Sequence, residues 1–523
     1  MSRYIIRADA AVTMDKGNTI VADAAVIVNE GRIEAAGPAS RLSERGPFER
    51  EIGGAGFVLL PGHTSGHTHT AVVLQRAFGS MAFERREPVT MYMAPWTEEE
   101  LYWLNLYLNA QMLKAGTTGA VTIFYGLEAL PDFGAEPLIR AFLDSGMRGA
   151  LGIAARDRWD VVHTREPAEF LDRLPAELSR RVEESPFGYR YDTAKIEDTT
   201  RRMAAKYQDM EGRFRMFGCA DWTPSSTDEL YARIKALAKE LDTGIVIHLL
   251  ETPYEMLHSF RTYGKSAIRR LADIGFLGPE VTGTDCVWST EGDLAILADS
   301  GMTAVYTAWH MSGFSGIAPV REMLDAGVNL AYSIMLRSQN DGYDVWSDLA
   351  VAEHLQHVPG IEAAALPAEQ FLRLATANAG RTWALDDSLG SIEEGKRADL
   401  VLMQSAHLYD DAFLDPNCDL HKLIVYRSRA EDIDTVIVEG KVVVEGGKCL
   451  TVNEKEAFER AQAGARRISG DTAGIQKWLD LAAELDPYVL DHYNAWKLPE
   501  VIQPWNAYNA RNVLHDKLLP TDP

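Results

Sequence analysis

Two histidines stand one residue apart just after a short apolar run in the amino-terminal part of the chain. The run at residues 57–60 breaks at Pro61 and Gly62 and leads to His67 and His69, a pattern typical of a buried strand that ends at a pocket. In a strand, residues i and i+2 share a face, so the two histidines can bind one metal ion together. The same pair could instead lie in a surface loop. Further ligands at later strand ends would distinguish the two alternatives.

Alternating strands and helices from about residue 59 to residue 389 would position these histidines. Apolar strand-like runs are predicted at 57–61, 119–125, 148–154, 214–220, 244–250, 283–288, 303–307 and 328–334. Helical patterns separate most of them, as at 96–115, where Thr97 followed by glutamates is typical of a helix start. Eight such strands predict an α/β fold, a (β/α)8 TIM-like barrel, with its chemistry at the carboxyl ends of the strands.

The two ends of the chain have a different pattern. Short β-rich runs and turn signals fill residues 1–58 and 390–455, which predicts one small β-sandwich domain formed from both chain ends. Residues 59–389 then form the barrel domain, and the long excursion at 155–212 predicts a helical insertion over the barrel mouth. Residues 456–523 are predicted to form a helical and then irregular C-terminal extension.

Charge and cysteine content limit the classes of function. Lysine and arginine total 52 against 76 aspartates and glutamates, and the net charge of −24 disfavours nucleic acid or an anionic membrane as a partner. The 4 cysteines are far apart and form no Cys-x-x-Cys pair, which argues against a disulfide framework and fits a reducing compartment. The sequence has neither a signal-peptide pattern at its start nor a long apolar run, so a cytoplasmic protein is expected.

Several short motifs occur in a defined order along the chain. They are Pro61-Gly62, His67-Thr68-His69, Gly116-Thr117-Thr118, His248 with Glu251, the run 315–329 and the run 390–401. This order resembles the amidohydrolase superfamily, and within it the cytosine-deaminase-like branch that includes triazine hydrolases (chlorohydrolases) and S-adenosylhomocysteine deaminases. The resemblance extends, with gaps, over about residues 4–455. It implies a metal-bearing (β/α)8 barrel beside a β-sandwich made from both chain ends.

The resemblance also implies roles for individual residues. His67, His69 and His248 match the three histidines with which the family holds one divalent metal ion, Zn or Fe. Three neutral imidazoles leave a coordination position for water, whose pKa then falls towards about 7. Glu251 matches the glutamate that moves a proton between that water and the leaving group.

Three positions depart from the family pattern. Asp285 stands where the sixth strand normally carries a substrate-orienting histidine, and residues 306–310 replace the usual His-Asn-Pro of the seventh. In the eighth strand, Met335 stands where the metal-binding aspartate and general base should be. A thioether is a poor zinc ligand and cannot accept a proton. Asp285 and His310 are therefore expected to contact the substrate or to replace the missing base.

Other residues at predicted strand ends could bind the substrate. Arg337 is the candidate for a substrate carboxylate or other anion, and Met335 would line the same pocket. Trp309 and Tyr125 could stack against a planar heterocycle. Each has a simpler alternative, a surface ion pair for the arginine and core packing for the aromatic residues.

These observations favour an amidohydrolase-like enzyme that hydrolyses a C–N or related bond of a small, nitrogen-containing ring compound through metal-activated water. One alternative is a metal-independent lyase or isomerase that uses the same pocket. The other is a non-catalytic binding homologue. Loss of His67, His69, His248 and Glu251 would be the simplest mark of lost catalysis, and all four residues are present. The expected partners are a small-molecule substrate and further copies of the chain, in a homodimer or higher homo-oligomer.

Overall fold

The computed structural model describes residues 3–69, 96–125, 135–158, 161–185, 192–312, 315–334, 343–357, 365–383, 388–411, 414–415, 417–470 and 472–496. Within these ranges the chain forms two eight-stranded sheets. The strands are β1 (Tyr4–Val12), β2 (Ile20–Asn29), β3 (Arg32–Pro38), β4 (Glu51–Pro61), β5 (His63–His69), β6 (Thr117–Phe124), β7 (Arg148–Ile153), β8 (Phe214–Trp222), β9 (Ile245–Leu249), β10 (Val281–Asp285), β11 (Thr303–Tyr306), β12 (Asn329–Tyr332), β13 (Leu400–Gln404), β14 (Ile433–Val438), β15 (Lys441–Glu445) and β16 (Lys448–Cys449).

Helices connect the strands and extend the carboxyl end. They are α1 (Ala39–Leu42), α2 (Glu98–Lys114), α3 (Glu136–Ser145), α4 (Ala168–Leu171), α5 (Ala176–Glu183), α6 (Thr193–Tyr207), α7 (Asp228–Glu240), α8 (Pro253–Tyr263), α9 (Ala267–Asp273), α10 (Glu291–Ser300), α11 (Ala308–Ser312), α12 (Val320–Asp325), α13 (Val345–His354), α14 (Ala368–Ala375), α15 (Ala406–Tyr409), α16 (Leu420–Arg427), α17 (Glu454–Gly470) and α18 (Thr472–Asn494). Short 3-10 helices lie at Ser43–Arg45, Met210–Gly212, Ala379–Trp383 and Ala430–Asp432. Of the helices in the described ranges, none has the length and hydropathy needed to cross a bilayer.

One sheet is built from both ends of the chain, in the spatial order β16-β15-β14-β13-β4-β1-β2-β3. Its centre is the antiparallel pairing of β13 with β4, where Leu400 lies opposite Pro61. Apolar residues from distant strands, such as Ile6, Val28 and Ile437, belong to one buried cluster. The predicted β domain from both chain ends is thus confirmed.

The other sheet is the barrel, in which β5 to β12 lie side by side in chain order and each pair of neighbours is parallel. Side chains close the remaining gap between the first and last strands. The Ser333 hydroxyl, just past β12, donates to the carbonyl oxygen of His67 on β5, and the hydroxyls of Ser65 and Ser333 are 3.3 Å apart. The (β/α)8 prediction is therefore confirmed.

The first barrel strand is not the one that the apolar pattern predicts. Residues 57–61 belong to β4 in the other sheet, and the histidine-bearing β5 is itself the first barrel strand. The chain changes sheets at Gly62, whose N–H donates to the Asp399 carbonyl, while the N–H of His63 donates to the Gly116 carbonyl. A Cβ at Gly62 would lie 2.2 Å from Thr118 Cγ2, so this crossing requires glycine. The prediction was wrong because β5 buries polar residues and has no apolar run.

The C-terminal extension packs, in its described part, on the outside of the barrel. Helix α2 begins with the predicted capping box, in which Thr97 and Glu100 exchange side-chain and backbone hydrogen bonds of 3.2 and 2.9 Å. Glu100 also accepts from Arg467 of α17 at 2.5 Å, and Lys114 at the other end of α2 pairs with Glu454 at 2.7 Å. Helix α17 is therefore bound to the helix that follows the first barrel strand.

A buried ion pair connects the barrel to the sheet from the chain ends. Arg148, at the amino end of β7, donates to the two carboxylate oxygens of Asp399 at 2.8 and 2.9 Å and to Glu439 at 2.6 Å. Replacing Arg148 with methionine leaves these acids without their buried cation, and we expect the free energy of unfolding to fall by about 3–5 kcal/mol. Denaturant unfolding measures this change. The control is Arg180→Met, which removes a 54% exposed partner of Glu177 and should lower the free energy of unfolding by less than about 1 kcal/mol. Equal losses of unfolding free energy in the two variants would contradict the prediction.

Candidate functional site

Three histidines meet at the carboxyl ends of two barrel strands, β5 and β9. His67 and His69 share one face at the end of β5, and their Nε2 atoms are 3.0 Å apart. His248 at the end of β9 places its Nε2 atom 3.2 Å from that of His69. All three side chains are buried, and they form a group whose ligand atoms could hold one metal ion. The sequence-predicted ligands are thus brought together.

The hydrogen bonds of the outer ring nitrogens show what this group fits. His248 Nδ1 lies 2.9 Å from a carboxylate oxygen of Asp221, and His69 Nδ1 lies 3.4 Å from the carbonyl oxygen of Ile123. Because these oxygens are acceptors, each Nδ1 carries the hydrogen and each Nε2 presents a lone pair. Two lone pairs only 3.2 Å apart repel each other unless a cation lies between them. The donor set, three neutral imidazoles, suits a divalent zinc or iron ion.

Asp221 is a site residue that the sequence reasoning missed. It lies at the end of β8 and is fully buried. One carboxylate oxygen accepts from His248 and, at 3.1 Å, from the hydroxyl of Tyr125, and the other accepts from Nε of Arg156. Burial alone would raise the pKa of Asp221, but the Arg156 guanidinium and the bond to His248 hold that pKa well below its usual range. The available signal was an aspartate ending an apolar strand, which is weak without the contact to His248.

Tyr125, predicted to stack on a substrate ring, lies against the histidines. Its ring stacks on that of His69 with centroids 5.3 Å apart and an interplanar angle of 26°, and on His248 at 6.2 Å and 13°. The residue is half-buried. The structure therefore places Tyr125 in the site, while its contact with a substrate stays a prediction.

Glu251 lies three residues past His248, buried, just before helix α8. Its backbone N–H donates to Glu255 at 2.7 Å, and its carbonyl oxygen accepts from the Ser315 hydroxyl. Burial raises the pKa of Glu255 to about 7, although it also accepts from the Thr223 hydroxyl. The backbone of Glu251 is thus fixed on both sides, and the role of its carboxylate as a proton shuttle stays a prediction.

Asp285 ends β10 in register with Leu249, one residue past His248. Its side chain is 1% exposed; one oxygen accepts from the Thr284 hydroxyl at 3.0 Å, and Oδ1 has no hydrogen-bond partner among the described residues. Burial raises the pKa of Asp285 to about 6. Its φ of 78° and that of Cys286, 47°, lie in the left-handed region, where non-glycine residues carry strain that is often found at functional sites. This carboxyl group is placed to accept a proton or a hydrogen bond.

The remaining predicted site residues are not brought into this group by the described structure. Met335 and Arg337 lie outside the described residues, as does the side chain of His310, whose backbone belongs to α11. Trp309 on the same helix is 46% exposed and is not part of the buried group around the histidines. Substrate contacts through these four residues stay predictions.

A second group of histidines lies where the insertion, helix α8 and the C-terminal helix meet. The His163 ring is 5.0 Å from that of Trp222 and 5.7 Å from that of His258. The backbone N–H of His163 donates to the hydroxyl of Tyr493, and His492 Nε2 donates to the carbonyl oxygen of His163 at 3.1 Å. The predicted insertion and extension thus pack on each other through a buried aromatic cluster.

This cluster predicts a loss of stability in acid. Burial lowers the pKa of all three histidines, and it lowers that of His258 to about 3, so His258 stays neutral in the folded protein in mild acid. The unfolded chain gains a proton at His258 below about pH 6.5, so this histidine removes about 1.4 kcal/mol of unfolding free energy per pH unit below that value. His258→Phe should reduce the slope of unfolding free energy against pH by about one proton between pH 6 and 5. An unchanged slope in thermal or denaturant unfolding would contradict this.

Comparisons with known proteins place the chain in a family. The sequence matches the Amidohydrolase family profile over residues 58–443. A 5'-deoxyadenosine deaminase from Methanosarcina mazei is 26% identical over 474 residues, which cover 90% of this chain and 99% of the relative. A 5-methylthioadenosine/S-adenosylhomocysteine deaminase from Syntrophomonas wolfei is 29% identical over 431 residues, which cover 81% and 90%. The chain belongs to the amidohydrolase family.

Solved structures have the same fold. An adenosine deaminase from Xanthomonas campestris with bound zinc superimposes with a TM-score of 0.74 at 20% identity, covering 90% of this chain and 99% of that one. An atrazine chlorohydrolase from Arthrobacter aurescens complexed with zinc gives a TM-score of 0.73 at 20% identity, covering 88% and 99%. The protein is a hydrolase of the amidohydrolase family. Family members generally bind a divalent metal.

Proposed function

We propose that this hydrolase is a metal-dependent deaminase that acts on a 5'-substituted adenine nucleoside. The observation that carries the metal dependence is the convergence of His67, His69 and His248, two of which direct Nε2 lone pairs at each other. The relatives named as deaminases of 5'-deoxyadenosine and of 5-methylthioadenosine or S-adenosylhomocysteine support the substrate class. In this reaction water adds its oxygen to the ring carbon, the exocyclic C–N bond breaks, and ammonia leaves.

The three imidazoles would hold the ion, zinc or iron, through Nε2. When bound, such an ion acts as a Lewis acid that lowers the pKa of water to near neutrality. The protein's own contribution is to keep these nitrogens neutral and correctly oriented inside a buried barrel end. Met335, at the position of the family's usual aspartate, adds no charged ligand, so the ion would depend on the histidines more than it does in other members of the family.

Glu251 and Asp285 perform the proton chemistry in this proposal. Glu251 takes a proton from the attacking water and gives it to the leaving ammonia, a role supported by its buried position three residues past His248. Asp285 accepts a hydrogen bond from the substrate or takes the second proton through the oxygen that has no partner among the described residues. His310 is the other candidate for this second role, while Tyr125 and Trp309 would stack against the purine.

Arg337 is the proposed contact for an anionic or strongly polar group at the 5' position, and Met335 would line the same side of the pocket. A carboxylate such as that of a homocysteine substituent would form charge-assisted hydrogen bonds with the guanidinium. A homodimer or larger assembly and a cytoplasmic location remain part of this proposal, supported by the resemblance and by the reducing-compartment pattern of the cysteines.

The decisive experiment is a substrate panel with the zinc-loaded protein. Adenosine, 5'-deoxyadenosine, 5'-methylthioadenosine and S-adenosylhomocysteine are compared by the ultraviolet change from adenine to hypoxanthine and by ammonia release. We expect the highest kcat/KM for one of the 5'-substituted compounds. Turnover of chlorotriazines or free bases, with none of adenine nucleosides, would overturn the substrate class.

Chelation tests the metal dependence separately. Removal of the ion with a strong chelator should abolish turnover, and added zinc or iron should restore it. Full activity of a metal-free protein would contradict the proposed mechanism and favour the lyase or isomerase alternative.

A further inference from the structure

We infer that Asp221 and Arg156 are positioning residues that fix His248 for metal binding, an inference that rests on the proposed function. Asp221 touches Nδ1 of the His248 ring, on the far side from the converging Nε2 atoms, and Arg156 touches the other oxygen of Asp221. The three side chains form one buried line from guanidinium to carboxylate to imidazole.

The backbone of three neighbouring strands sets up this line. Trp222 of β8 is paired with His248 of β9, and Ala155, just past β7, forms a parallel bridge with Ala220. The N–H of Asp221 also donates to the carbonyl oxygen of Ala155 at 3.0 Å. Arg156, Asp221 and His248 therefore stand in adjacent strands at the same level, at the carboxyl end of the barrel where chemistry lies.

The energetics favour a functional role for the pair. Arg156 and Asp221 are 1% and 0% exposed, and burying such an ion pair costs about as much as its attraction returns. An ion pair of this kind is weak evidence for a stabilising role. It does fix the orientation of the side chains that it contacts. A carboxylate beside a ligand imidazole fixes both the ring orientation and the tautomer, which keeps the hydrogen on Nδ1 and the lone pair on Nε2.

Tyr125 adds a third donor to the same carboxylate. Its hydroxyl donates to Asp221 at 3.1 Å, and its ring stacks on the imidazoles of His69 and His248. The guanidinium of Arg156 lies 5.4 Å from the centroid of the Tyr125 ring. Rotation of His248 about its side-chain bonds is thus opposed by a hydrogen bond at its edge and by an aromatic ring on its face.

Strand β7 supplies a matched control. Arg148 at its amino end forms a comparable buried pair with Asp399, away from the three histidines and at the end of the barrel that serves stability. Asp399→Asn therefore disturbs a buried Arg–Asp pair without touching a ligand histidine. Comparison with Asp221→Asn separates loss of positioning from loss of a buried charge.

The experiment measures metal affinity and does not use a substrate. Zinc is titrated into the full-length apoprotein in competition with a chromophoric chelator, and the cobalt-loaded protein is examined by visible absorption. We expect Asp221→Asn to raise the zinc Kd about 10- to 100-fold and to change the cobalt spectrum. Asp399→Asn should lower thermal stability and leave both metal readouts near those of the wild type.

Each outcome is decisive. An Asp221→Asn protein with wild-type zinc affinity and cobalt spectrum would overturn this inference and leave the proposed function standing. A wild-type protein that binds no divalent ion would overturn both. If Asp221→Asn does not fold, Arg156→Gln is the deciding variant, since it keeps the carboxylate and removes only its far partner. We expect it to raise the zinc Kd by a smaller factor, and an unchanged Kd would again overturn the inference.

Discussion

Replacing His248 with alanine is expected to remove the metal ion from the protein and to lower kcat/KM by roughly 10³-fold or more. The reason is geometric as well as chemical. His248 comes from β9, on the opposite side of the site from β5, and its Nε2 atom lies 3.2 Å from that of His69. Without it, only the two histidines of one strand remain, and two imidazoles without a carboxylate do not hold zinc tightly.

Metal content and turnover should change together in this variant. Elemental analysis of the purified protein should give near-stoichiometric metal for the wild type and almost none for His248→Ala, with circular dichroism unchanged. The matched control is His63, a fully buried histidine at the other end of β5 whose Nδ1 is 2.9 Å from the Thr117 hydroxyl. His63→Gln should keep its metal. A His248→Ala protein that retains both metal and activity would exclude the three-histidine site.

The sequence predicted most of the barrel because most of its strands carry an apolar signal. Runs such as Ile245–Leu249 and Thr303–Tyr306 are fully buried, and continuous apolar segments between helices are typical of parallel strands. The strand β5 has no such signal. It places His67 and His69 in the site and buries polar residues along its whole length, so the element most important for function is the one that periodicity could not locate.

The three histidines that the structure brings together were among the predicted site residues, whereas Asp221, which contacts one of them, was missed. His67, His69, His248 and Glu251 belong to short motifs whose spacing can be read locally. Asp221 lies 27 residues before His248, and only the pairing of β8 with β9 brings them together. A lone aspartate followed by tryptophan gives no local sign of that pairing.

Glu251→Gln is the second large effect, expected to lower kcat by about 10²- to 10⁴-fold while the metal stays bound. Glutamine has nearly the same shape as glutamate, but its amide cannot accept the proton that water must lose. The backbone contacts of residue 251 with Glu255 and Ser315 do not depend on its side chain, so the local structure should be preserved. Turnover is measured by ammonia release at saturating metal, and metal content by elemental analysis.

The control for this variant is another buried glutamate. Glu353 on α13 is 1% exposed and pairs with His357 at 2.7 Å, outside the group around the three histidines. Glu353→Gln should lower the free energy of unfolding by about 1 kcal/mol, the typical value of one hydrogen bond. It should leave kcat within about threefold, because Glu353 lies outside the group around the three histidines. Equal losses of kcat in the two variants would point to a general effect of buried charge removal. A Glu251→Gln protein with wild-type kcat would transfer the proton-shuttle role to Asp285 or His310, and the same measurement on Asp285→Asn would then decide between them.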